Sequence, residues 1–419
     1  MGMTFAEKII SLKSGNKSLK PGDMVDISPD WIMTHDNTWD VIDKFNEIGI
    51  QRVWDPEKIV ILLGNFTPSP NEQYARNNQV IREFVKKFKI KHFYDHLGVC
   101  HQIFCEQGHA LPDTIILGCD SHTTTYGGLG AFSTGISRTE SAAIFVTGKT
   151  WLRVPETIRI EMIGEFAPGV MTKDFILHLI GTMDEEETLY RAIEFTGPTV
   201  QNMTLDSKLT LANMSVDLGA KIGYIAPDEK TICWIKERAK RPFEVVLPDK
   251  DATYWKTMTY DVNCLEPQVA CPHDLRNLKP VREVAGKRID QAIIGTCTNG
   301  RLEDLEIAAR VVKGRKSDPN VRFLIFPASK EIYLEALKKH IIQDLAEAGA
   351  IIMNPNCGPC LGSHGGIIGA GEVCIASQNR NFRGRMGSRD SEIYVASPAT
   401  VAASALRGQI ADCREFLSF

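Results

Sequence analysis

The chain has 419 residues, 43% of them hydrophobic and 24% charged, with a formal net charge of −4. These are the proportions of an ordinary globular protein, and the acidic balance leaves no electrostatic footprint for nucleic acid. Eleven cysteines is an odd count, and with no export-type leader it argues against a disulfide framework.

The first residues, MGMTFAEKIISLKSG, carry charge early and match neither a signal peptide nor a membrane anchor. No apolar run reaches spanning length. The expectation is a cytoplasmic protein of two to four domains, at about 100–200 residues each.

Along the chain, strand-like and helix-like stretches alternate. KIVILLG (58–64) reads as a buried strand and NNQVIREFVKKFKI (77–90) as an amphipathic helix. DTIILGCDSHTTTYGGLGAFSTG (113–135) reads as a strand running into a polar, glycine-rich loop, and a more β-like texture begins near PETIRIEMIGEF (155–166). The last third is the most regular: strands at 291–297 and 321–329, helices at 301–314 and 330–349, strand-then-loop stretches over 350–362 and 371–387, then a strand–helix pair over 391–408. This alternation predicts an α/β protein with mainly parallel sheets. We place three α/β domains at 1–154, 155–283 and 284–419. Ligands of such sheets gather beyond the carboxyl ends of the strands, where each polar motif here falls.

Cys357 and Cys360 stand in NPNCGPCLG, a spacing shared by zinc knuckles, redox disulfides and iron–sulfur sites. No second CxxC pair completes a zinc site, although His364 is close in sequence. Cys297, in GTCTNGR, follows another apolar strand. Two strand ends of one sheet can converge, giving three thiolates in glycine-rich loops whose backbone can approach a cluster. Three thiolates leave one iron of a cluster open as a Lewis acid; four make an electron carrier. Asp120-Ser121-His122 is no hydrolase triad, because adjacent residues cannot align as nucleophile, base and orienter. Taken alone, His96 in a loop and the arginines of QNRNFRGRMG are more commonly solvated surface groups.

Together GTCTNGRLEDL, NPNCGPCLG, CDSHTTTYGGLGAFSTG, YDHLGVCHQ and NRNFRGRMG resemble the aconitase superfamily. The length and the NRNFxGRMG variant resemble its large subunits of the 3-isopropylmalate dehydratase and homoaconitase type. The resemblance implies three domains around a central 4Fe-4S cluster with one open iron, held by Cys297, Cys357 and Cys360. It implies an acid pair at Asp95 and His96, carboxylate–histidine pairs among His101, Asp120, His122 and Asp217, and substrate contact by Ser121. His35, Asp36, Thr38, Asn379, Arg380 and Arg385 fall at substrate-binding positions; arginine suits carboxylates through paired hydrogen bonds. Two departures stand out. Asp217 occupies a glutamate position and reaches ~1.5 Å less far. Trp39 follows MTHDNT, where smaller residues are usual.

The implied activity is a hydro-lyase acting on a small hydroxy-dicarboxylate or tricarboxylate, by isomerisation of 3-isopropylmalate or hydration of homoaconitate, with a separate small subunit supplying a fourth domain. Other readings stay open here: a dehydratase of another substituted malate such as 2,3-dimethylmalate, a cluster-dependent regulator that binds nucleic acid, and a zinc- or disulfide-stabilised structural protein.

Overall fold

The computed structural model describes residues 2–417. It contains three principal sheets and a two-stranded antiparallel ribbon formed by Met24–Ile27 and Thr150–Arg153. None of its described helices is long and apolar enough to cross a membrane.

The first sheet has five parallel strands in the order His92–Asp95, Ile59–Leu63, Trp31–Thr34, Ile115–Gly118, Phe132–Gly135. Ile59–Leu63 is buried throughout, as expected of a parallel strand covered on both faces. The chain builds outward from Trp31–Thr34 to one edge, then returns to its other side. The strand order therefore reverses between Trp31–Thr34 and Ile115–Gly118. Such a reversal opens a crevice beyond the carboxyl ends, because the two crossover helices leave on opposite faces. His35 and Asp36 follow the first of these strands, and Asp120 to His122 follow the second.

The sheet of the last third repeats this logic. Its order is Leu278–Pro280, Gln268–Ala270, Glu392–Ala396, Val373–Ala376, Gln291–Gly295, Arg322–Phe326, Ile351–Ile352. The last five are mutually parallel, and Gln268–Ala270 runs antiparallel to both of its neighbours. Here the order reverses between Gln291–Gly295 and Val373–Ala376. Cys297 lies just past one strand and Ser377 to Arg380 just past the other. Two strands of this sheet, at 268–270 and 278–280, precede residue 284 in the chain. The expected long helix at 330–349 is two helices, Lys330–Lys338 and Ile341–Glu347. His340 stands between them with φ 60°, a left-handed turn that re-aims the apolar face of Ile341, Ile342 and Leu345 into the core.

Between these lies a four-stranded parallel sheet, ordered Ile222–Ile225, Ala192–Thr196, Thr157–Ile163, Lys256–Asp261. Its Ile158 and Ile160, with Phe175 and Ile180 of the helix Thr172–Thr182, share one core with Ile293, Leu324, Cys374 and Val395 of the seven-stranded sheet. The middle unit therefore packs on one face of that sheet, while the helices Leu302–Val312 and Pro398–Arg407 cover the other. At Gly127 the Asp120–His122 turn meets the four-stranded sheet so closely that a Cβ would stand 1.6 Å from the carbonyl oxygen of Gly223. Only glycine permits that approach.

The N-terminal helix Phe5–Ser14 ties the same two units. Phe5 stacks on Tyr224 with ring centroids 3.6 Å apart, and its N–H donates to Glu194 over 2.8 Å. The Tyr254 hydroxyl donates to the other Glu194 oxygen. Burial pushes the Glu194 carboxyl up to about 7 despite these donors. Because the folded value exceeds the unfolded one, stability is greatest below about 4.5 and falls as pH rises through about 7, by on the order of 3 kcal/mol. Glu194→Gln should remove that loss. Urea unfolding of both proteins from about pH 5 to about pH 8 should show the variant gaining on the wild type as pH rises; a constant difference would sink the account.

Candidate active site

Cys297 owes its position to a sharp reversal. The strand Gln291–Gly295 ends with Gly295 at φ 148°, and Thr296 follows at φ 73°, before the single helical turn Thr296–Asn299. A β-branched residue at positive φ is strained, and such strain persists only where its surroundings enforce it. Arg301 supplies much of that enforcement. Fully buried, its guanidinium donates to the Cys297 and Thr298 carbonyls (2.6 and 2.7 Å), to Thr210 Oγ1 (3.2 Å) and to Gln102 Oε1 (3.1 Å).

Cys357 precedes the tight turn Gly358–Leu361 and Cys360 lies within it; Gly358 there has φ 52°. A side chain at Gly358 would meet the Phe326 ring at 2.7 Å. Asn356 Oδ1 accepts from the Gly358 N–H, and the Asn65 carbonyl accepts from the Cys357 N–H. Asn65 belongs to the first sheet's loops, so two units shape this turn. The three cysteines form one buried group with Val99. Asn213 Nδ2 lies 3.4 Å from Cys297 Sγ, and an Arg385 guanidinium nitrogen 3.5 Å from Cys360 Sγ.

Burial, and then the charge of Cys360, pushes the Cys297 thiol up to about 12, and burial with the neighbouring sulfurs raises Cys357 well above the ordinary range. Three thiolates could share this space only with a compensating cation. Among the described residues no three His, Cys, Asp or Glu side chains close around a single metal ion. Three buried thiols brought together from two loops suit a soft metal group rather than a hard one.

Beside the thiols runs a chain of alternating acids and bases. His101 Nε2–H donates to Asp120 Oδ1 over 2.8 Å, and the Tyr126 hydroxyl lies 3.2 Å from His101 Nδ1. Burial lowers the His101 pKa, so the neutral ring can donate to Asp120 and accept from Tyr126. Asp120 Oδ1 also accepts from the His122 N–H. Burial alone would raise Asp120, but His101, His122 and His35 hold it well below the carboxylate range. His122 Nε2 stands 3.2 Å from Asp217 Oδ2, and Arg380 Nε donates to Asp217 Oδ1 over 2.7 Å. The short Asp217 therefore spans both partners, because the single-turn helix Met214–Leu218 brings its backbone close. Against the upward push of burial, His122 and Arg380 keep Asp217 below its ordinary value. Ser121 Oγ lies 3.2 Å from His122 Nδ1. Asn379 Nδ2 donates to Asn213 Oδ1 over 2.7 Å, and Asn379 Oδ1 lies 3.7 Å from Cys297 Sγ.

The remaining expected positions divide. His35 is buried with Nε2 3.5 Å from Asp120 Oδ2, and that nitrogen has no hydrogen-bond partner. Asp36 accepts from the N–H groups of Gly64, Asn65 and Phe66, fixing the loop that supports Cys357. Thr38 Oγ1 bonds Thr34 Oγ1 and the His35 carbonyl, which orients His35 from behind. Asp95 and His96 touch none of these groups. They sit at the carboxyl end of the edge strand His92–Asp95, with Asp95 accepting from Arg82 and the His96 side chain 70% exposed. His364 Nε2 donates to the Pro68 carbonyl over 2.8 Å.

The family model described as aconitase family (aconitate hydratase) matches residues 7–285 and 273–408. The chain belongs to the aconitase family. By that kinship it is a hydro-lyase. It is 49% identical to the 3-isopropylmalate dehydratase large subunit 1 of Methanopyrus kandleri, covering 100% of both chains. It is 46% identical to the 3-isopropylmalate dehydratase large subunit of Halothermothrix orenii, again over 100% of both. A probable methanogen homoaconitase large subunit of Methanothermobacter thermautotrophicus is 45% identical over 97% of each. Among solved structures, the holo-form of aconitase X from Thermococcus kodakaraensis shares the fold, with TM-score 0.53 and 12% identity, covering 96% of this chain and 95% of that one.

Several residues of this aconitase-family site escaped the sequence reading: Arg301, Asn213, Asn65 and Tyr126. Arg301 lies inside the quoted GTCTNGRLEDL, and Asn213 stands four residues before Asp217 in NMSVDLGA, but nothing in their spacing marks them as partners of Cys297. Asp217 is the hinge between His122 and Arg380, so Asp217→Asn should cost about 2 kcal/mol near neutral pH by leaving the half-buried Arg380 guanidinium without its carboxylate. The stability supplied by a depressed carboxylate is present above its unfolded value of 3.8 and is lost as pH falls through the folded one. The gap between variant and wild type in denaturant melts should therefore narrow under acid conditions. A gap that widens there would contradict the ion-pair reading.

Proposed function

We propose that the chain is the cluster-binding large subunit of a hydro-lyase that dehydrates and rehydrates a malate-type acid, with isomerisation of 3-isopropylmalate and 2-isopropylmalate as the leading reaction. The supporting observation is the convergence of three buried thiols from two loops with the His101–Asp120–His122–Asp217–Arg380 chain. The near relatives named for 3-isopropylmalate dehydratase support the substrate. The homoaconitase relative keeps a longer tricarboxylate as a second reading.

Cys297, Cys357 and Cys360 would hold a 4Fe-4S group, which when bound supplies a Lewis acid able to ease the departure of a hydroxyl. The remaining work falls to side chains. Arg380, kept charged by Asp217, presents its guanidinium to a substrate carboxylate, with Arg385 and Asn379 beside it. His122, between Ser121 and Asp217, and His101, fixed by Asp120 and Tyr126, can hold or pass a proton at ring nitrogens whose orientation is set. Ser121 offers a hydroxyl to the substrate, and His35 offers its unpartnered Nε2.

Asp95 and His96 serve as the acid pair in this reading. The exposure of His96 fits a site that another chain closes. The names of the relatives, each a large subunit, support a separate small subunit as that chain, and the exposed Leu361 and Phe382 on the two site loops fit a surface it would cover.

Purified without oxygen, the chain should be brown and contain iron and sulfide. Cys297→Ser should abolish the cluster, whereas His364→Ala, whose ring is engaged with Pro68, should leave it in place. Reconstituted with the small subunit, the complex should convert 3-isopropylmalate; preference for a homoaconitate-type acid would select the second reading. A colourless protein with stoichiometric zinc would overturn both.

A further inference from the structure

Lys173 is the second residue of the helix Thr172–Thr182, and its side chain is fully buried. A lysine there is doubly disfavoured. Its charge is removed from water, and it sits in the first turn, where the helix dipole already presents positive charge. Among the described residues no carboxylate lies within ion-pairing distance of its ammonium. The neighbouring Asp174 points elsewhere, accepting from the N–H groups of Met171 and Gln268. Lys173 Nζ instead donates to two main-chain carbonyls, those of Ser377 and Gln378, each over 2.9 Å.

Those carbonyls begin the loop that carries the site. The strand Val373–Ala376 stops at Ala376, and Asn379 and Arg380 follow Gln378 directly. The Ser377 N–H is bound to Ile293, and its hydroxyl accepts from Gly295, so the loop's entry is anchored to the Cys297 strand. Gln378 lacks such an anchor. Its side chain is 1% exposed, yet neither amide atom has a partner. The orientation of the two peptides that aim Asn379 at Asn213, and Arg380 at Asp217, therefore depends on the ammonium beneath them. A fixed charge-assisted pair of hydrogen bonds suits that task better than a flexible surface contact.

We infer that Lys173 is a positioning residue for substrate recognition: reaching out of the middle unit, it fixes the Ser377 and Gln378 carbonyls so that Asn379 and Arg380 face the substrate carboxylate. The inference rests on the reading of Arg380 as a carboxylate ligand. It also gives the middle unit a part in the site beyond Asp217, because a shift of that helix would move the loop.

Lys173→Met in the cluster-loaded complex with its small subunit tests this. Iron and sulfide content should stay at the wild-type level. KM for 3-isopropylmalate should rise about tenfold or more with a much smaller change in kcat, the signature of lost binding geometry. Amide exchange, measured on the chain without substrate, should quicken for residues 378–381 and not for the strand 291–295. Lys173→Gln, which keeps a neutral amide donor but loses the charge, should lie between and serves if the methionine variant does not fold. Wild-type KM together with unchanged exchange would overturn the proposal. So would a lower melting temperature and lost iron with an unaltered KM in the loaded fraction. Arg380→Lys separates the two ideas: if it leaves KM unchanged, the reading of Arg380 fails, while the exchange of 378–381 still decides whether Lys173 holds the loop.

Discussion

One guanidinium holds the centre of this molecule together. Arg301 has no exposed surface, and its four hydrogen bonds reach a side chain of the first unit (Gln102), one of the middle unit (Thr210), and two carbonyls of the third (Cys297, Thr298). A buried charge is costly unless each of its donors is engaged. Here the engagement requires all three units to be docked in one arrangement. The same bonds seat the carbonyl of Cys297 while Thr296 takes its strained turn. Docking of the units and presentation of the thiol are thus one event, and neither can be perturbed without the other.

Around that knot the architecture repeats. The first and third units are doubly wound sheets, and each opens a crevice where its strand order reverses. The first crevice delivers His35 and Asp120, the third Cys297 and Asn379. Setting two such crevices face to face creates a cleft lined by strand-end loops from both. The middle unit fills the side of that cleft with Asp217. The acid–base chain His101–Asp120–His122–Asp217–Arg380 crosses all three units and alternates acids with bases: the Asp217 carboxylate of the middle unit meets His122 of the first and Arg380 of the third. This alternation lets buried carboxylates stay ionised in a cleft that would otherwise favour their neutral forms.

The sequence made the strands and their order of appearance readable because buried parallel strands leave continuous apolar runs, as in IVILL and QAIIG. Strand-end position then picked out the chemistry: Cys297, Asp120 and Arg380 all follow such runs. Three things were not readable. The break at His340 is a single left-handed residue inside an otherwise helical pattern, and the pattern carries no glycine or proline to announce it. The strands at 268–270 and 278–280 are three residues long, too short for periodicity to register. Arg301 and Lys173 look like ordinary surface cations in sequence; only tertiary packing reveals that both are buried and aimed at carbonyls. Asp217 shows the converse. Side-chain length alone argued against its reaching His122, yet the backbone of a one-turn helix supplies the missing distance.

The distribution of burial across the site carries a last consequence. His101, His122, Asn379 and the three cysteines are closed in, while Arg380 keeps 28% of its side chain exposed and His96 keeps 70%. The cysteines and the histidines beside them are thus already desolvated, while Arg380 and His96 still face water. Electrostatic interactions with a bound acid strengthen as water leaves. The full strength of Arg380 therefore depends on whatever closes the open side. A floor fixed by Arg301 and Lys173, under an open face, separates holding the cofactor from gripping the substrate. On the proposed reading, in which a second chain closes the open face, that separation lets the first chain fold and hold its cofactor before the site is complete.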